Sequence, residues 1–288
     1  MKTSKKPASS SNTKRPADNQ TFLRHRFLDE AGDTTFYAKG HTPIIGLQRG
    51  VSLSFILGMV KFRSPLEPIR QEIRRLQESV ENDPYFKDVW SIQKKKAEPG
   101  GYYFHATDDP DAARKVLYDY IKTLDLSFEA VVGRKIPAIF TRKHHSRESE
   151  FYADLLSHLL KNKLQSGGDL ILNIAQRGKV TRNIVFQEAL DKAVARFLKR
   201  KTPDQIKTLV AFNVQYPRTE PLLNVTDYIC WAVQRVFERG ETRYYNFIAD
   251  RVSLVIDLYD SSHYANNENY YTNRRPLTAL NKISPPSY

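Results

Sequence analysis

The chain has 288 residues, 40% of them hydrophobic and 27% charged, with 45 Lys and Arg against 32 Asp and Glu for a formal net charge of +13. That apolar content excludes global disorder, and a single cysteine excludes an internal disulfide. No apolar run reaches the roughly 20 residues of a membrane-spanning helix, and the positive balance favours polyanions: nucleic acid, an acidic partner or an anionic membrane.

Residues 1–20 set Lys2, Lys5, Lys6, Lys14 and Arg15 against Asp18 among Ser, Pro and Asn. They predict a disordered basic tail with nothing to bury, whose removal weakens nucleic-acid affinity and leaves folding intact. They lack the apolar core of a secretory signal. With one cysteine in the chain, a reducing, cytoplasmic setting is expected.

Residues 22–30 alternate as a strand does, and Ala31-Gly32-Asp33 reads as its turn. The β-rich run 51–62 pairs with it as a hairpin across a long connection at 34–50. Residues 66–82 form an amphipathic helix, with Leu66, Ile69, Ile73, Leu76 and Val80 recurring at three and four. Residues 84–104 read as irregular. A helix follows at 110–123, capped by Asp108 or Asp109. Residues 126–132 are a third strand, continued by 136–140.

Next come a helix at 147–164, a Gly167-Gly168 turn, a strand at 170–175, a helix at 182–199 and a buried strand at 208–214. Residues 225–239 form a helix with one apolar face, in which Cys230 is a small buried hydrophobe. A short helix and a strand at 252–258 precede an irregular C-terminal extension at 261–288, rich in Asn, Tyr and Pro. Antiparallel strands first, then alternating strands and helices, predict one α/β domain with a mixed sheet flanked by helices.

Asp29-Glu30-Ala31-Gly32-Asp33 is the sharpest chemical feature: three carboxylates at the end of an apolar strand. Mg²⁺ takes few, rigid oxygen ligands. Neighbouring strand side chains point to opposite faces, so Asp29 is the expected metal ligand. Glu30 joins it only if the turn begins early, and Asp33 is a further candidate. Asp and Gly also suit turns for purely structural reasons. The second feature is Asn224-Val225-Thr226-Asp227-Tyr228, which opens a helix and places Asp227 in its first turn, where the helix dipole stabilises a carboxylate whatever its role.

Together, in this order, the two motifs resemble the domain-of-unknown-function 3800 family of bacteria and their mobile elements. That family is marked by an Asp-Glu-x-Gly-Asp turn and a later Gln-x-x-Asp opening a helix. The first motif is intact as Asp29, Glu30, Gly32 and Asp33; the second reads Asn224-x-x-Asp227, with Asn in place of Gln. The resemblance runs from about residue 22 to 258. It implies a ribonuclease-H-like fold over 21–260, in which an Asp on the first strand and an acid on the last helix share divalent metals. The implied activity is hydrolysis of DNA or RNA phosphodiesters with Mg²⁺ or Mn²⁺, in mobile elements or antiviral defence, with Asp29, Glu30 and Asp227 catalytic.

Such a nuclease usually carries another acid at the end of the fourth strand. Here 170–176 offers Asn173 and Gln176 but no carboxylate, and Asp169 lies at the other end. Asp108, Glu148 or Glu150 are the possible substitutes, and a binding module that has lost catalysis is the alternative. His105 and Asp108, just before a helix, can face a cleft, where His105 would position a water or contact a phosphate; a helix-capping Asp108 and a packed His105 are the alternative. Lys94, Lys95, Lys96, Arg142, Lys143, Arg177 and Lys179 are the expected nucleic-acid contacts, with 142–148 as a solvated loop in which adjacent His144 and His145 point apart.

Overall fold

The computed structural model describes residues 23–48, 50–176 and 183–285. Arg177 and Lys179, and the basic tail, lie outside the described residues. Seven strands build one mixed sheet in the order β5-β4-β1-β2-β3-β6-β7: β1 (Leu23–Gly32), β2 (Ser54–Phe62), β3 (Leu126–Arg134), β4 (Gly168–Ala175), β5 (Thr208–Gln215), β6 (Val252–Asp257) and β7 (Tyr270–Tyr271). β2 runs antiparallel to both β1 and β3, while β1 with β4, β4 with β5 and β3 with β6 are parallel. The helices are α1 (Leu66–Asn82), α2 (Trp90–Lys96), α3 (Asp111–Thr123), α4 (Pro137–His144), α5 (Glu148–Leu160), α6 (Asn183–Leu198), α7 (Leu222–Arg239) and α8 (Arg243–Ile248).

The faces of the sheet follow from register. Asp29 stands opposite Gly58, and Cys230 of α7 sits on that pair: its thiol reaches the Asp29 carbonyl, and a Cβ on Gly58 would strike its sulfur and the Phe128 ring. α7 therefore lies almost in contact with the β1–β2 backbone. Phe55, three residues before Gly58 on β2, points the other way, onto Phe151 and Tyr152 of α5, which packs with α6 on the opposite face. The segment between β2 and β3 (α1, α2 and α3) wraps the outside of α7. Every residue of α7 from 222 to 233 is consequently buried, so the single apolar face expected for this helix is corrected to burial on all sides.

Further expectations are corrected in whole or in part. Residues 136–140 do not continue β3: Pro137 starts α4, its fixed φ suiting a first helical turn. The expected irregular stretch 84–104 contains α2, and the solvated loop expected at 142–148 holds only in part: its residues are exposed except His144, which ends α4 and is buried against Asp154 and Tyr259. The C-terminal extension wraps onto the domain: β7 pairs with β6, and Tyr271, Leu277 and Ile283 are buried.

Candidate functional site

A cavity of about 680 Å³ opens at the C-terminal ends of β1 and β4. Its acidic floor comes from β1 and α7. Asp29 faces the α7 side of the sheet, and Asp227, Trp231 and Gln234 line the cavity from α7 at the spacing of one helical face. Residues far apart in sequence thus bring two carboxylates to one site. Glu30 also borders the cavity. β1 runs on to Gly32, however, so alternation directs Glu30 to the face opposite Asp29. The turn does not begin early; Glu30 borders the same cavity as Asp29, and its charge acts on the Asp29 carboxyl.

The insertion between β2 and β3 supplies the wall. Residues 102–107 run extended and alternate: Tyr102, Phe104 and Ala106 enter the core, while Tyr103, His105 and Thr107 line the cavity. Asp109, read in the sequence only as a possible helix cap, fixes this segment. Its buried carboxylate accepts from the His105 N–H (2.8 Å), the Tyr228 hydroxyl (2.6 Å) and Lys95 Nζ (3.2 Å). Lys95 is thus buried and engaged, which removes it from the expected nucleic-acid contacts. The cap predicted for α3 is absent too: Pro110 takes that position without a side-chain bond.

Electrostatics couple the floor. Burial, and then the Asp227 charge, push the Asp29 carboxyl well above the usual carboxylate range, while the Glu30 N–H (2.8 Å) holds it down only in part. Burial also raises Asp227, opposed by His105 and by the Ala106 N–H at 2.7 Å. For His105, burial disfavours the charged ring, but the Asp227 and Asp108 carboxylates outweigh it and raise its pKa to about 9. Asp108 lies 3.0 Å from His105 Nδ1. At neutral pH His105 is an imidazolium beside the acids. The dipole account of Asp227 is corrected: α7 starts at Leu222, so Asp227 lies beyond its first turn and is held by the Ala106 N–H.

Several expected site residues have structural positions. Asp33 accepts from the Ser52 N–H (2.7 Å) and hydroxyl (2.8 Å), the Thr35 N–H (2.8 Å) and Lys135 Nζ (2.8 Å), tying the end of β1 to the start of β2 away from the cavity. Burial opposes its charge, but Lys135 and Ser52 hold its carboxyl below the usual range. Asn173 bonds the Arg26 carbonyl and Asn213, bridging β1, β4 and β5 inside the sheet. Phe27 pairs with Asn173 and Leu28 with Ile174, so the register sets Ala175 beside Asp29. The fourth-strand position at the cavity is an alanine.

Asn224 is wholly buried and outside the cavity. It accepts from Gln77 Nε2 (2.8 Å) and donates to the Pro217 carbonyl (3.0 Å), and so positions the β5–α7 loop that brings Tyr216, Arg218 and Thr219 to the cavity mouth. Glu148 accepts from Thr34, and Glu150 pairs with His145 and Arg147; neither lines the cavity. Arg142 and Lys143 border a separate depression with Tyr259 and Tyr264, and Lys143 is paired to Asp154 at 2.8 Å. Lys94 is exposed over Trp90, and Lys96 is held at the Glu81 carbonyl (3.1 Å).

Among the described residues no group of three or more His, Cys, Asp or Glu side chains is arranged to hold a metal ion. Asp29 and Asp227 are a two-carboxylate donor set, however, and Mg²⁺ is commonly held by one or two carboxylates with waters and substrate phosphates completing its shell. A half-buried Asp29 and a buried Asp227 that border one cavity, the first raised by the charge of the second, fit that requirement. No helix among the described residues is long and apolar enough to cross a membrane. No protein family's sequence pattern matches the chain, and no curated protein matches it either.

Proposed function

We propose that the chain is a ribonuclease-H-like nuclease that hydrolyses phosphodiester bonds of DNA or RNA at the Asp29–Asp227 cavity. The observation that carries this reading is the meeting of Asp29, at the end of the central β1, with Asp227 on α7 in one cavity. Those two elements are the ones named by the resemblance to the domain-of-unknown-function 3800 family, and the mixed sheet with helices on both faces agrees with it. Asp29 and Asp227 would hold Mg²⁺ or Mn²⁺, which when bound supplies an activated water and charge neutralisation at the phosphate. The imidazolium of His105 contacts a phosphate oxygen, and Arg218 at the mouth meets the flanking backbone. A setting in mobile elements or antiviral defence follows from the resemblance alone.

A second reading has its own support: Ala175 where another acid would complete the site favours a nucleic-acid- or protein-binding module without catalysis. One assay separates the two. Wild type, Asp29→Ala and Asp227→Ala are incubated with single- and double-stranded DNA and RNA in Mg²⁺, Mn²⁺ or EDTA. We expect wild-type cleavage that EDTA abolishes and that each variant lowers by at least about a hundredfold, the scale of losing one transition-state contact. Salt-sensitive binding without cleavage in any metal would transfer the assignment to the binding module.

A further inference from the structure

The mouth of the cavity differs from its floor. Tyr103, Tyr216 and Trp231 line it beside Arg218. Two of these rings are already covered. Arg114 and Arg235 lie 4.5 and 5.2 Å from the Trp231 ring, with Tyr244 edge-on at 4.7 Å. Lys95 and Arg218 lie 4.9 and 5.1 Å from the Tyr103 ring. Tyr216 is 58% exposed, and among the described residues no ring or cation stacks on it.

The backbone that presents this ring is fixed. The Tyr216 carbonyl accepts from the Thr219 and Glu220 N–H groups (both 3.0 Å), and the Gln176 N–H bonds the Gln215 carbonyl (2.8 Å) just before it. Asn224 holds Pro217, and Glu220 is gripped by Arg70 at 2.8 Å. An exposed aromatic ring on so firmly tied a loop is a preformed stacking surface, for which little ordering entropy remains to be lost on binding.

We propose that the cavity accepts an unpaired nucleotide of a single strand, its base stacked on Tyr216 and its phosphate directed inward to Asp29, Asp227 and His105. This rests on the reading of the cavity as a phosphodiester site and names its substrate. Every base offers a π-face when unpaired, whereas a duplex uses those faces internally. A cavity of about 680 Å³ also falls within the range of about 300–1,000 Å³ that encloses one small ligand. The net charge of +13 favours the polymer over a free nucleotide, because each neutralised phosphate releases counterions.

The test is equilibrium binding by fluorescence anisotropy in Mg²⁺, Ca²⁺ and EDTA, with strand integrity followed in each so that binding is read apart from cleavage. Full-length wild type, Tyr216→Ala and Tyr216→Phe are titrated with a labelled single strand, an abasic strand of equal length, the matching duplex and a mononucleotide competitor. Circular dichroism confirms that each variant is folded. We expect wild type to prefer the single strand over the abasic strand and the duplex by about tenfold, the order of one stacked base. Tyr216→Phe keeps that margin and Tyr216→Ala erases it.

Equal affinity for the abasic strand, an unchanged margin in Tyr216→Ala, or a duplex bound as tightly as the single strand would overturn the proposal. Competition by the mononucleotide as strong as by the strand would overturn its assignment to a polymer. A base-dependent margin without cleavage in any metal would uphold the stacking site and defeat the nuclease reading; cleavage without the margin would do the reverse.

Discussion

Asp29 lies where its own charge is disfavoured: burial and the Asp227 carboxylate both raise its pKa in the folded chain. The sign of the consequence is fixed. An acid whose folded pKa exceeds its unfolded value of 3.8 contributes stability below that value and loses it as pH rises through the folded pKa. Asp29→Asn keeps the shape and removes the charge, so without metal we expect it to stabilise the protein near neutrality by roughly 0.5–2 kcal/mol. The advantage should shrink as pH falls toward 3.8, and it should be accompanied by loss of cleavage. Added Mg²⁺ should raise the melting temperature of wild type and not of the variant, because only a bound ligand shifts the folding equilibrium. Thermal melts across pH check this, and a variant less stable than wild type near neutrality would contradict it. His105 gives a second titration. Its folded pKa of about 9 against 6.5 means its charge adds stability that is whole below 6.5 and gone once pH rises past about 9. His105→Gln should therefore melt below wild type in weak acid and converge with it in alkali; a gap that stays constant with pH would show that the ring acts by packing alone.

The position of α7 on the sheet decides whether the two acids meet. That contact depends on Gly58, where a Cβ would collide with Cys230 and Phe128. Gly58→Ala should cost about 1–3 kcal/mol by overpacking and should lower cleavage further than the stability loss explains, since α7 carries Asp227 away from Asp29. Denaturant unfolding and activity on the same preparation test it; full activity in the variant would show that α7 tolerates displacement. The β1–β2 hairpin, α1 and the β4-α6-β5 alternation were legible in the sequence because a period of two or 3.6 persists over many residues. α2 and α4 were not, because short helices hold too few turns to display a period, although Pro137 marked the start of one. The start of α7 was misplaced by most of a turn. Its polar Asn224, Thr226 and Asp227 resemble a solvated opening, yet all three are buried on tertiary partners: Gln77, the Phe27 carbonyl and the Ala106 N–H. The acids of the site were legible through their motifs. Of the wall at 102–107, His105 was legible as a residue able to face a cleft; the alternation of Tyr102, Phe104 and Ala106 with Tyr103, His105 and Thr107 was not, because the segment pairs with no strand. Tyr216 and Arg218 had none, because their exposure at the mouth depends on where the β5–α7 loop is tied down.

At the scale of the whole chain, the question is where the folded unit ends. Composition placed a boundary near 260, since the following residues are polar and lack periodicity. The contacts place the remainder inside the fold. The Asp257 N–H bonds the Asn269 carbonyl (2.9 Å), and Asn269 Nδ2 returns to the Asp257 carbonyl (3.0 Å). The Ile283 N–H reaches the Phe237 carbonyl of α7 (2.7 Å), and the Leu277 N–H reaches the Tyr245 hydroxyl (3.2 Å). Tyr271, Leu277 and Ile283 are buried by this wrapping, and each large apolar side chain so buried is worth about 1.5–3 kcal/mol in a molecule whose net stability is of order 5–15 kcal/mol. Ending the chain after Asp260 would also leave β6 as an unpaired edge. We expect that truncation to melt far below the full chain or to aggregate, while removal of residues 1–20 leaves melting unchanged and weakens nucleic-acid binding most at low salt. If the chain ending at 260 unfolded with the full-length midpoint and cooperativity, the C-terminal wrapping would be incidental to the fold, and the boundary read from composition would stand.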